Sequence, residues 1–218
     1  MNPLRTLRFA WARLQGRTAL SVSGVVAGAD VDVIGAPIVT RHRGSSIVLG
    51  DGVTLISKAF ATALGVNHAV VLRTLTDGAE IRIANRVGIS GGSICAARRV
   101  EIGEGTLLGA NVTIADTDFH SLDPENRRAK IGSDAVGAAP VRIGRNVFIG
   151  TGSIVLKGVE IGDGSVIGAG SVVTKSIPAN CIAAGNPCKV IRAFTALELE
   201  GKDAESLRAH AQEGQLTG

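Results

Sequence analysis

From Ile143 onward the chain places an aliphatic residue at every sixth position: Ile143, Ile149, Val155, Ile161, Ile167 and Val173. The blocks read IGRNVF, IGTGSI, VLKGVE, IGDGSV, IGAGSV and VTKSIP. A six-residue period fits neither an amphipathic helix nor a long alternating strand. It fits a parallel β-helix, in which each hexad supplies one short strand and one corner. A strand that short cannot bury its apolar face alone, so successive coils must stack on a shared core. The repeat therefore predicts an all-β solenoid.

Composition agrees. The chain holds 29 Gly, five Phe, one Trp and no Tyr, while 45% of its residues are hydrophobic. A narrow solenoid has little room for aromatic rings, and it uses glycine where tight corners demand positive φ. The cadence is ragged from about residue 19 to 115 and regains its six-residue step at Ile102, Leu108 and Ile114. It breaks over residues 115–142, a polar excursion containing Pro124 and Pro140, and resumes at Ile143. Long irregular insertions in a compact scaffold are commonly functional or mobile.

The organisation expected is an amphipathic segment over 1–18, a solenoid over 19–192 interrupted by the excursion, and a helical tail over 193–218. In the first segment Leu4, Leu7, Trp11 and Leu14 follow helical spacing among Arg5, Arg8, Arg13 and Arg17. Such a helix is suited to packing on its own solenoid or on a neighbouring subunit. It is also suited to peripheral contact with an anionic membrane surface through residues 1–17. Residues 194–213 are rich in Ala, Leu and Glu and read as one or two short helices.

The formal net charge of +4 is mild, and the basic residues lack interleaved aromatics, so no nucleic-acid partner is expected. Cys95, Cys181 and Cys188 are odd in number and lack metal-ligand spacing, which points to a reducing, cytoplasmic setting. No uninterrupted apolar run is long enough to span a membrane, since Asp30 and Asp32 break the stretch from Thr18 to Val39. There is no signal-peptide pattern at the start.

Four histidines are present: His42, His68, His120 and His210. His120 opens the excursion, in ADTDFHSLDP, flanked by Asp116, Asp118 and Asp123. Histidine holds both protonation states near neutrality, so a loop-borne one is suited to general-base work. A neighbouring carboxylate or carbonyl could fix its tautomer. The alternative is a solvated loop histidine beside solvated acids. The histidines are too scattered to form a local zinc pair, and no metal is expected. Lys175, Lys189 and Arg192 suit phosphate contacts, although single surface cations are usually only solvated.

The C-terminal run IGRNVFIGTGSIVLKGVEIGDGSVIGAGSVVTKSIPANCIAAGNPCKVIR resembles the hexapeptide-repeat acyltransferases of the left-handed β-helix class. Within that class it is most similar to the maltose and galactoside O-acetyltransferases and the acetyltransferases of polysaccharide biosynthesis. IADTDFHSLDPENRR is similar to that branch's active-site loop. The resemblance covers roughly residues 30–192. It implies a homotrimer that transfers acetyl from acetyl-CoA to a hydroxyl of a carbohydrate or polysaccharide precursor, with sites between subunits. His120 would be the general base, acting in a ternary complex without an acyl-enzyme.

The resemblance also implies that the Thr151 amide faces the oxyanion and the Ala169 amide the pantetheine arm. Thr174, Lys175, Lys189 and Arg192 would contact CoA. Ser90 (or Ser93) and Asp118 would meet the acceptor. The chain departs from the family at Phe148, where many relatives carry Trp, and at GISGGSI, where the sugar enzymes have an acceptor-contacting Asn. It also has no clear counterpart of their N-terminal sugar-contacting segment. A serine- or antibiotic-type acetyltransferase and a non-catalytic binding solenoid are the alternatives. A solenoid carbonic anhydrase would need three converging histidines, and a nucleotidyltransferase would need a preceding nucleotide domain.

Overall fold

The computed structural model describes residues 3–200 of the chain. The strands form three sheets that interleave along the sequence in rotation, one strand per sheet in each turn, as far as Val172–Val173. Sheet A runs from Val26–Ala27 to Glu160–Ile161, sheet B from Asp32–Ile34 to Lys189–Ala193, and sheet C from Ile38–Thr40 to Val172–Val173. All pairings are parallel except the last, where Lys189–Ala193 folds back antiparallel on Cys181–Ala184. The result is a three-sided, left-handed parallel β-helix of hexapeptide repeats.

The hexad residues form the core. Ile143, Ile149, Val155, Ile161, Ile167 and Val173 are each at most 1% exposed, and they stack in register from coil to coil. Burying one such side chain contributes about 1.5–3 kcal/mol. The residue two places before each hexad position also points inward; at Ser153, Ser165 and Ser171 it is a fully buried serine. These hydroxyls donate to corner carbonyls, Ser153 to Gly168 at 3.0 Å and Ser165 to Pro178 at 2.7 Å, so burial leaves them satisfied. Corners between sheets A and B are tied by side chains of the next coil. Asp51 accepts the Ala29 amide at 2.7 Å, and Asp163 accepts the Arg145 amide at 2.8 Å.

The N-terminal segment forms one helix, α1, over Pro3–Val22, longer than the sequence reading drew it. Its buried residues are Ala12, Gly16 and Leu20, and Leu20 joins the solenoid core. Gly16 allows this approach: a Cβ there would overlap the Val33 carbonyl oxygen. The Gly35 amide donates to Ala12 O at 2.9 Å, and Arg13 pairs with Asp32 at 2.8 Å. The apolar stripe read from the sequence is not the face that packs on the solenoid. Leu7, Trp11 and Leu14 point away from the solenoid.

At the other end, the chain enters a helix after Thr195. Thr195 and Glu198 cap it reciprocally: the Thr195 amide donates to Glu198 Oε2 at 2.8 Å, and the Glu198 amide donates to Thr195 Oγ1 at 3.3 Å. The remainder of the expected tail, 201–218, lies outside the described residues, as does His210.

Candidate active site

The excursion leaves the corner between sheets C and A after Ala115 and returns at Val141. Val141 and Arg142, assigned to the excursion from sequence, belong to the next sheet A strand. Its two ends pair as a neck: Asp118 N donates to Gly137 O at 2.9 Å, and Ala139 N donates to Asp116 O at 2.8 Å.

Asp116 anchors that neck. Its side chain is fully buried, and it accepts the amides of Ala97, Arg98 and Arg99 at 2.6, 2.6 and 2.7 Å. Three converging N–H groups from the coil above form an anion nest closed by a side chain of the chain itself. Burial pushes this carboxyl above the usual range, and the three amides pull against that. Phe119 then takes φ of +61°, a left-handed conformation unusual for an aromatic residue, and turns the chain immediately before His120.

His120 is exposed at the end of this rigid neck and makes no hydrogen bond among the described residues. Its three acidic neighbours are each engaged elsewhere. Asp116 is held by the three amides. Asp118 pairs with Lys157 at 3.0 Å, and Asp123 accepts from Glu125 N and Asn126 Nδ2. Lys157, at the same corner one coil further on, was not singled out from sequence.

The other expected site residues divide between two edges of the prism. Thr174 and Lys175 lie exposed at the C–A corner, on the same edge as His120, Asp118 and Lys157. Thr151 and Ala169 lie at the B–C corner, and Ser90 ends the sheet B strand that leads into that corner. Sheet C separates the two edges, so one chain does not bring these groups together.

At the B–C edge, the Thr151 and Ala169 amides have no acceptor among the described residues, so both are available as donors. Gly170, with φ of +69°, gives the turn that presents the Ala169 amide. Ser90 lines a groove of about 390 Å³ on sheet B together with Leu107 and Phe148. Lys189 is exposed on the returning strand. Arg192, on the same strand, donates two hydrogen bonds to the Glu198 carboxylate, at 2.8 and 2.9 Å. Arg192 and the Thr195 donors hold the Glu198 carboxyl down to about 2.

Among the described residues no group of three or more His, Cys, Asp or Glu is placed to hold a metal ion. Cys95, Cys181 and Cys188 are free thiols. Burial pushes the Cys95 and Cys188 thiols up, which makes neither a ready nucleophile.

Residues 140–175 match the family model described as the hexapeptide repeat of succinyl-transferase. Over 97 residues the chain is 48% identical to YJL218W of Saccharomyces cerevisiae, which carries a provisional acetyltransferase name; the match covers 44% of this chain and 47% of that protein. The chain thus spans about half the length of this curated relative. Among solved structures, a galactoside acetyltransferase in complex with coenzyme A is 26% identical with a TM-score of 0.53, covering 86% of this chain and 82% of that one. A variant of AntD, an N-acyltransferase from Bacillus cereus solved with dTDP and coenzyme A, superposes with a TM-score of 0.63. It is 20% identical over 87% of this chain and 96% of that one, a likeness of fold. The three-sheet solenoid, its hexad core and the matched repeat together give the chain the left-handed β-helix fold of hexapeptide repeats.

Proposed function

We propose that the protein is an acetyl-CoA-dependent O-acetyltransferase acting on a hydroxyl of a carbohydrate or polysaccharide precursor. The observation that carries this reading is His120 itself. It is exposed, unbonded, and held on a neck clamped by Asp116 and by the Asp118–Lys157 pair. A histidine kept rigid by its surroundings yet free at its ring is placed to move a proton for a bound acceptor.

In the reaction, His120 takes the proton from the acceptor hydroxyl as its oxygen attacks the thioester carbonyl carbon. The oxyanion that forms needs a fixed donor, and the unbonded Thr151 amide is such a group. Collapse breaks the C–S bond, His120 returns the proton to sulfur, and acetyl ester and free CoA leave. Acetyl-CoA would lie along the B–C edge, with the Ala169 amide on its pantetheine arm. Thr174, Lys175 and Lys189 would sit near its polar and phosphate groups. Arg192 would join only by leaving Glu198. No step calls on a metal.

The division of the site residues between two edges supports a homotrimer, in which the C–A edge of one copy meets the B–C edge of the next. Outer faces differ accordingly. Sheet A carries a ladder of ion pairs, including Arg99–Glu80 at 3.0 Å and Arg142–Glu101 at 3.1 Å. Sheets B and C expose Leu107, Phe148 and Ile154. Depletion of charge on two faces and its concentration on the third is the pattern of contact faces beside a solvent face. Free thiols and the acetyl-CoA requirement suit the cytoplasm.

The test is incubation with acetyl-CoA and a panel of hydroxylated sugars and amino sugars, with products read by mass spectrometry. A product heavier by one acetyl and cleaved by mild alkali supports O-transfer. An alkali-stable product would show N-transfer instead. Failure to bind acetyl-CoA at all would leave a non-catalytic solenoid.

A further inference from the structure

α1 carries two apolar stripes on opposite sides. Ala12, Gly16 and Leu20 face the solenoid. At about 3.6 residues per turn, Leu7, Trp11 and Leu14 fall on the far side. They are 68%, 60% and 56% exposed. A row of Leu, Trp and Leu turned to solvent on a helix already docked by its other face calls for an occupant.

The distribution of charge says which. The first 43 residues hold six basic and two acidic side chains, and the rest of the chain holds seventeen of each, so the whole formal net charge of +4 lies in that first part. α1 contains Arg5, Arg8, Arg13 and Arg17 and no Asp or Glu. Arg41 reaches back beside Gly24, just past the helix end. Packing α1 of one copy on α1 of another would set arginines against arginines with no acid on either helix. An anionic bilayer answers both features. The apolar row enters the acyl boundary while arginines on either flank stay among the headgroups, and Trp favours that interface.

We propose that α1 is a peripheral membrane anchor, laying Leu7, Trp11 and Leu14 on a lipid surface rich in anionic headgroups. It is not a span: no described helix is long and apolar enough to cross a membrane. The solenoid mouth is closed by the buried stripe, so the outer stripe can engage lipid without opening the core.

Trp11 is the only tryptophan in the chain, so its emission reports on this stripe alone. The full-length protein is mixed with vesicles of phosphatidylcholine, with or without phosphatidylglycerol, and followed by Trp11 emission and by flotation. The expected result is a blue shift and co-flotation with the phosphatidylglycerol vesicles only, both weakened by added salt. A Leu7→Gln/Leu14→Gln variant should partition about tenfold or more weaker with an unchanged melting curve, because both positions are exposed. Arg17→Gln, on the flank of the row, should weaken the preference for phosphatidylglycerol while leaving the apolar row intact.

Unchanged emission and no flotation with phosphatidylglycerol vesicles would overturn the proposal. So would full binding by the Leu7→Gln/Leu14→Gln variant. Emission already blue-shifted without lipid and moving red on dilution would also overturn it, by showing a second copy on the stripe. The readout needs no acyl transfer, so its failure and that of the transferase reading are separable.

Discussion

The carboxylate of Asp116 accepts the Ala97 amide at 2.6 Å, across nineteen positions of sequence. With the Arg98 and Arg99 amides it fixes the root of the excursion to the coil above, four residues before His120. Asp116→Asn puts an NH2 group where three N–H donors converge, leaving at least one buried donor unpaired. The expected cost is about 2–4 kcal/mol of unfolding free energy, read by denaturant melts. Turnover should fall further than stability alone explains, because the base loses its footing.

Asp118 has two roles to separate: partner of Lys157 and contact for the acceptor. The pair is partly solvated, so Lys157→Ala should cost about 0–1 kcal/mol of stability. If Asp118 acts only through Lys157, Asp118→Asn and Lys157→Ala should lower kcat alike and their double variant should add nothing. An acceptor contact predicts instead that Asp118→Asn alone raises KM for the acceptor. Steady-state kinetics on the three variants decides between them.

Gly16→Ala tests the docking of α1 by its sign. On helix propensity alone the change should stabilise by about 1 kcal/mol. The added methyl meets the Val33 carbonyl oxygen, so the helix must shift and the protein should lose about 1–3 kcal/mol. Thermal melts give the sign directly.

Ala169→Pro removes one amide proton that has no acceptor among the described residues, at a turn position whose geometry suits proline. The fold should hold, and acetyl-CoA affinity should weaken by about 2- to 10-fold, the worth of one hydrogen bond. Titration calorimetry measures it.

Acid should loosen the fold at Asp32 and Asp163. Arg13 holds the Asp32 carboxyl below its ordinary range, and the Arg145 amide and guanidinium do the same for Asp163. A folded-state pKa below the unfolded one gives stability that is complete above the unfolded value of about 4. That stability is lost as pH falls through the lower folded value. Melting temperature should therefore drop below about pH 4, and Asp32→Asn and Asp163→Asn should each flatten that drop.

The hexad was readable because its period is set by the solenoid itself. Every sixth residue must fill the core, and Ile143 through Val173 do. The excursion was readable because polarity and proline interrupt that requirement. The docking face of α1 was not, since two apolar stripes on one helix give the sequence no preferred side. Nor was the role of Asp116. Sequence places it beside His120, whereas its partners are seventeen to nineteen residues upstream and adjacent only once the coils stack. The separation of Ser90 from His120 was hidden for a related reason. Which corner a residue occupies depends on counting turns, and the irregular stretch from Lys58 to Ala69 obscures the count.

Whether His120 moves the proton in acyl transfer is read from acceptor-dependent CoA release by wild type and His120→Ala, with acetyl-CoA binding measured beside it. Release by His120→Ala should fall by about 10²–10⁴-fold, with binding and melting temperature unchanged. Release by His120→Ala at the wild-type rate, with the same acceptor, would contradict it.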